Sequence, residues 1–100
     1  MGGQMKGLKY DDGKPRWDLL PIEEVEDVVK VLTFGAAKYQ PYNWQLVKGA
    51  RWRYLGAMFR HVKAWMTGKR IDDETGLPHL AHAATNLLFL AWIDKHGEAK

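Results

Sequence analysis

The chain has 100 residues, no cysteine and a formal net charge of +3, with 46% hydrophobic residues that include five Trp and four Tyr. That length fits one domain with a modest core, and the apolar fraction excludes a disordered chain. Disulfides and thiolate metal sites are excluded by composition, and membrane insertion is not expected, because no stretch approaches the roughly 18 apolar residues of a span and MGGQMKGLKYDDGKPRW has no apolar signal-peptide region.

Residues 1–20 read as a non-helical arm and residues 21–97 as a helical domain, a single domain overall. In the arm, Asp11-Asp12-Gly13 and Lys14-Pro15 are turn signals. Trp17, Leu19 and Leu20 are expected to pack on the helices where the arm serves structure alone. The first helix starts near Pro21, where proline is tolerated. Ile22, Val25, Val28, Val29 and Leu32 form its apolar stripe, and it ends at Gly35 or runs on to Tyr39, before the stop at Gln40-Pro41. Residues 41–49 read as a loop. The second helix covers 50 to about 67, with Trp52, Leu55, Met58, Phe59, Val62, Trp65 and Met66 as its buried stripe and Gly68 as a C-terminal signal. An acidic connector, 71–76, leads to a third helix that starts between Thr75 and Pro78 and ends at Lys95, before Gly97. It is apolar on more than one side, which suits a central or interface position. No alternating strand pattern is present. The fold class expected is therefore all-α, a small helical bundle completed by oligomerisation.

Charge is unevenly spread. No acid lies between Asp27 and Asp72, whereas lysines and arginines recur throughout that block. Such a block beside acidic clusters suits a phosphate-bearing ligand with a divalent cation, and equally a solvated helix face. Four constellations are candidates for chemistry. Glu23, Glu24, Glu26 and Asp27 fall three or four residues apart on the first helix, where they could hold a hard cation or simply complement the helix dipole. His79, His82 and Asn86 share one stripe of the third helix behind Asp72, Asp73 and Glu74. Two imidazoles one turn apart with a carboxylate can bind a metal, although a histidine on an apolar face is usually a core residue. Arg53, Arg60, His61 and Lys63 lie on the second helix, as phosphate contacts or as a plain basic face. In the arm, Lys14 and Arg16 flank a glycine turn, and Tyr10 and Trp17 offer faces on which a base could stack.

The runs KYDDGKPRWDLLP, VLTFGAAKY, NW, RY, RHVKAW and DDETGLPHLAHAATNLLFL, in this order from Lys9 to Trp92, resemble the phage and prophage dATP/dGTP diphosphohydrolase domain, grouped with the all-α MazG-like pyrophosphohydrolases. The resemblance implies a small MazG-like helical bundle. It also implies hydrolysis of dATP or dGTP to the monophosphate and pyrophosphate, with Mg²⁺ or Mn²⁺ as cofactor and the cytoplasm of the bacterial host as location. Relatives of the MazG type place acids of an ExxE motif and an ExxD motif around Mg²⁺. Glu23/Glu26 and Glu24/Asp27 match the first. The second departs from the pattern: His79-Leu80-Ala81-His82 stands where ExxD would be, and imidazole suits Mn²⁺, Co²⁺ or Zn²⁺ better than Mg²⁺.

On this reading Glu74, His79 and His82 are the candidate catalytic residues. Glu23, Glu26, Asp27, Asp73, Glu74 and His79 are the candidate metal ligands. Ligand contacts are expected from Tyr10, Lys14, Arg16, Trp17, Lys38 and Asn43, and from Trp44, Arg53, Arg60, His61 and Lys63. The partners expected are a nucleotide and further copies of the chain. A nucleic-acid partner is not expected, because the net charge is mild and acids are many. The alternative to catalysis is a phage protein that sequesters a nucleotide signal without cleaving it.

Overall fold

The computed structural model describes residues 6–100, so the first five residues of the arm lie outside it. Three helices carry the fold: α1 (Ile22–Lys38), α2 (Ala50–Met66) and α3 (His79–His96). Short 3-10 turns occupy Trp17–Leu19 in the arm and Asn43–Gln45 between α1 and α2. Among the described residues there is no strand, only an isolated antiparallel bridge between Ile71 and Pro78. The architecture is all-α, as the hydrophobic periodicity requires.

The helix ends have local reasons, with one exception at the start of α2. Pro21 caps α1, Glu23 and Glu24 fill its first turn and Lys38 its last, all with the sign the helix dipole favours. The backbone runs through Gly35 to Lys38, the longer of the two expected ends. α2 has no acid in its own first turn. Its free Arg51 N–H is met instead by the carboxylate of Glu98, 2.6 Å away and 47 residues on. At its other end the N–H of Gly68 bonds Trp65 O and that of Lys69 bonds Ala64 O, with Gly68 at φ +94°. This is a Schellman arrangement, and glycine is what permits the left-handed residue. α3 ends on Gly97.

α3 is the central element, packed against both α2 and α1. Its buried face carries Ala81, Ala83, Thr85 and Ile93, with Ala50 of α2 opposite in the core. Small side chains let the helices approach closely, and the buried Thr85 hydroxyl is satisfied by Ala81 O at 2.7 Å. Towards the C-terminal half of α3 an aromatic cluster pins the 41–49 loop. Trp44 stacks on Phe89 at 4.6 Å between centroids and meets Trp92 edge-on, while the Tyr54 hydroxyl donates to Trp44 O at 2.6 Å.

Two sequence expectations are corrected. The arm does not pack: Trp17 is 79% exposed, and Leu19 and Leu20 are exposed too. The stripe assigned to α2 is displaced as well. Leu55, Met58 and Val62 face inward, but Trp52 is 72% exposed, and Phe59, Trp65 and Met66 are also exposed. The inward positions belong instead to Tyr54, Gly56, Ala57, His61 and Ala64. The inward face of α2 thus mixes small, polar and aromatic residues with Leu55, Met58 and Val62, and the rest of the expected stripe is left outside. α1 buries no residue fully; Ile22, Val29 and Leu32 of its stripe are exposed.

Candidate metal and phosphate site

The connector between α2 and α3 is a closed turn. Asp72 N–H bonds Leu77 O, Gly76 N–H bonds Asp72 O and His79 N–H bonds Arg70 O, each at 2.8–2.9 Å. Gly76 sits at φ +71°, which lets the chain reverse. The turn brings Asp72 back over the first residues of α3, where it faces the side chain that α2 contributes at His61.

His61 Nδ1 and His79 Nδ1 lie 2.9 Å apart, and the His61 ring stacks on His82 with centroids 4.5 Å apart and 9° between planes. One ligating atom from each of His61, Asp72 and His79 falls within 4.8 Å of the other two. Asp72 Oδ2 accepts from the Thr75 backbone N–H at 2.9 Å and from the Thr75 hydroxyl at 3.0 Å. That hydroxyl lies 2.7 Å from His82 Nε2. Thr75 has one hydroxyl proton and the carboxylate anion can only accept, so the proton serves Asp72. His82 then carries its own proton on Nε2 and donates to the Thr75 oxygen. Asn86, on the same stripe of α3, donates to His82 O at 2.8 Å.

Burial pushes His61 below the ordinary histidine range, helped by His82 and His79 and opposed by Asp72. His82 is lowered by burial in the same way, against the pull of Asp72. Burial alone would raise Asp72, but the Thr75 backbone and hydroxyl bonds, with His82, outweigh it and leave the carboxyl below its usual value. The result is an anion among neutral imidazoles. His79 is only 7% exposed, and its Nε2 is buried without a hydrogen-bond partner among the described residues. An orphaned ring nitrogen in a polar cluster is costly and calls for an explanation.

The other candidates lie apart from this cluster. Asp73 pairs with Lys69 at 3.0 Å and Glu74 with Lys38 at 2.7 Å, both on the exposed side of the turn. The Glu74 charge still reaches His82. Glu23, Glu26 and Asp27 sit on α1 and are not among the grouped metal-ligating atoms of the described residues. Arg60 and Lys63 are exposed on α2, next to His61 in the chain, and Arg53 reaches back to Lys48 O. Asn43 and Trp44 belong to the half-buried loop, with one face of Trp44 covered by Phe89. Tyr10, Lys14, Arg16 and Trp17 are exposed in the arm, where Arg16 pairs with Asp18 at 2.7 Å. A cavity of about 460 Å³ there is lined entirely by residues of the 9–18 segment. Thr75 carries no sequence signal of its own. Asp72 stood in an acidic run with nothing local to rank it above Asp73 or Glu74.

The family model described as dATP/dGTP diphosphohydrolase, N-terminal, matches residues 4–100. Over 89 residues the chain is 43% identical to a dATP/dGTP diphosphohydrolase of Salmonella phage PMBT28. That similarity covers 89% of this chain and 30% of the phage protein, so the chain spans less than a third of the curated relative's length. No solved structure matches.

Proposed function

Because the chain belongs to the family of dATP/dGTP diphosphohydrolase N-terminal domains, we propose that it binds a purine deoxynucleoside triphosphate and hydrolyses it to the monophosphate and pyrophosphate with a divalent cation. The observation that carries this is the half-buried His61–Asp72–His79 cluster in a chain of that family. Its donor set fits a cation: one carboxylate held anionic, the His61 imidazole held below the ordinary histidine range, and a His79 ring nitrogen without a partner among the described residues. A divalent ion there would supply Lewis acidity towards a phosphoryl oxygen and a more acidic bound water.

The chain's own groups do the remaining work. Thr75 holds Asp72 in its ionised form and orients His82. His82, with Nε2 committed to Thr75, has Nδ1 free of a proton and able to receive one. Arg60 and Lys63, exposed cations next to His61 in the chain, are the proposed contacts for phosphate oxygens, with Lys38, paired to Glu74, as a third. Tyr10 and Trp17, both exposed, are the aromatic faces proposed to stack on the purine. Among the described residues no helix is long and apolar enough to cross a membrane, and the reading includes a homo-oligomer acting in the cytoplasm of a bacterial host.

The test is incubation of the purified protein with each deoxynucleoside triphosphate and Mg²⁺ or Mn²⁺, with products separated by ion exchange. The expected outcome is dAMP or dGMP with pyrophosphate. Release of inorganic phosphate with a diphosphate, or no product, overturns the reaction. One observation favours a second reading, capture without cleavage: the acids that open α1 are not part of the histidine cluster. Recovery of intact nucleotide from the denatured complex would support it.

A further inference from the structure

Two imidazoles and a carboxylate meet from three separate places in the chain: His61 from the middle of α2, Asp72 from the connector and His79 from the first turn of α3. The 2.9 Å separation between the two Nδ1 atoms is that of a hydrogen bond in which one ring donates and the other accepts. It matches the spacing of two nitrogens that each lie about 2.0–2.1 Å from one ion at a ligand angle near 90°. The His61–His79 contact uses one nitrogen of His79 and leaves the other, Nε2, buried and unpartnered. If His79 accepts from His61, a buried N–H is wasted; if it donates, a buried lone pair is wasted. A cation held by the two Nδ1 atoms takes the place of that shared proton, and each neutral ring then keeps its single proton on Nε2.

The second layer is built to match. The Thr75 N–H and hydroxyl both point at one oxygen of Asp72, and the hydroxyl is braced by His82 and by the Leu77 N–H at 3.2 Å. Second-shell bonds of this kind orient a ligating carboxylate. The chemistry of the set also discriminates between ions. Mg²⁺ favours oxygen ligands and retains its waters, whereas two imidazoles with one carboxylate suit Zn²⁺, Co²⁺ or Mn²⁺.

We propose that His61, Asp72 and His79 form a transition-metal site that selects Zn²⁺, Co²⁺ or Mn²⁺ over Mg²⁺ and fastens α2, the connector and α3 together. This deepens the reading above by naming the ion class, and its test needs no nucleotide. An ion bound only by the folded state raises the unfolding temperature in proportion to the logarithm of its concentration over Kd. The full chain, freed of metal by chelator, is mixed with Co²⁺, Zn²⁺, Mn²⁺ or Mg²⁺ and desalted. Retained metal is counted by elemental analysis, and the unfolding temperature is read by calorimetry.

The result expected is one equivalent of Co²⁺ or Zn²⁺ retained, a rise of several degrees in the unfolding temperature, and neither effect with Mg²⁺ at the same concentration. His61→Ala and Asp72→Asn should each weaken Co²⁺ binding at least tenfold. Asp94→Asn, an exposed carboxylate at the far end of α3, should leave it unchanged. Asp72→Asn preserves shape, so retained helical circular dichroism separates lost binding from lost folding. Absence of retained transition metal, retention unaltered in both site variants, or equal retention of Mg²⁺ overturns the proposal. None of these outcomes depends on whether a triphosphate is cleaved, so the metal site and the hydrolase reading fail separately.

Discussion

Thr75 decides more about the site than its chemistry suggests. Its hydroxyl donates to Asp72, accepts from His82 and accepts again from Leu77 N–H, so one oxygen ties the connector to the first turns of α3. Thr75→Val keeps the shape but leaves the half-buried His82 N–H without an acceptor and Asp72 with one donor fewer. The loss expected is about 1–3 kcal/mol of stability, read from the urea midpoint. Thr75→Ser should recover most of it. A valine variant as stable as the parent would mean that the turn is held by its backbone bonds alone. At this scale the sequence was only partly legible. The His79, His82 and Asn86 stripe followed from helical spacing, and all three side chains do turn inward. His61 could not be joined to them, because 18 residues and a reversal of the chain separate it from His79. Nor could Asp72 be separated from its acidic neighbours, since backbone bonding in the turn, and not residue type, aims it at the histidines.

At the scale of elements, the helices follow from local rules, and the connections hold the exceptions. Tyr42 is the one non-glycine residue with positive φ among the described residues, at +62°, and it precedes the 3-10 turn that carries Trp44 into the aromatic cluster. Left-handed backbone costs an L-residue about 1–2 kcal/mol, and the Tyr42 ring is largely exposed, so it returns little. Tyr42→Gly is expected to raise stability by about 0.5–1 kcal/mol in chemical denaturation, after the added chain entropy is counted. A fall would show that the ring packs in solution. Helix ends were read to within a residue or two from Pro21, Gly68 and Gly97. The inward face of α2 was not. Periodicity finds an apolar stripe, of which Leu55, Met58 and Val62 do face inward, but Trp52, Phe59 and Met66 are exposed and Tyr54, His61 and Ala64 turn inward instead, an outcome set by where α3 lies.

For the whole molecule, the core is small for the length. The fully buried hydrophobic residues among those described are three alanines and one isoleucine. The radius of gyration is 18.9 Å, against about 13 Å for a compact domain of this length. Meanwhile Leu80, Leu87 and Leu88 of α3 and Trp52, Phe59 and Met66 of α2 stand exposed. A lone chain would leave that surface in water, so self-association is the expected remedy. Light scattering after gel filtration should give a dimer or larger species at micromolar concentration, and Leu87→Asp with Leu88→Asp should shift it towards monomer. A monomeric parent chain would refute the expectation.

The sequence by itself determined the helical class, the order and ends of the helices and the family, because each rests on local propensity or on residues read in order. The tertiary structure alone decided which acid meets the histidines, that His61 joins them and which face of α2 is inside. Those outcomes depend on how the connector folds back and how closely α2 and α3 approach, and both are set by contacts between residues far apart in the chain.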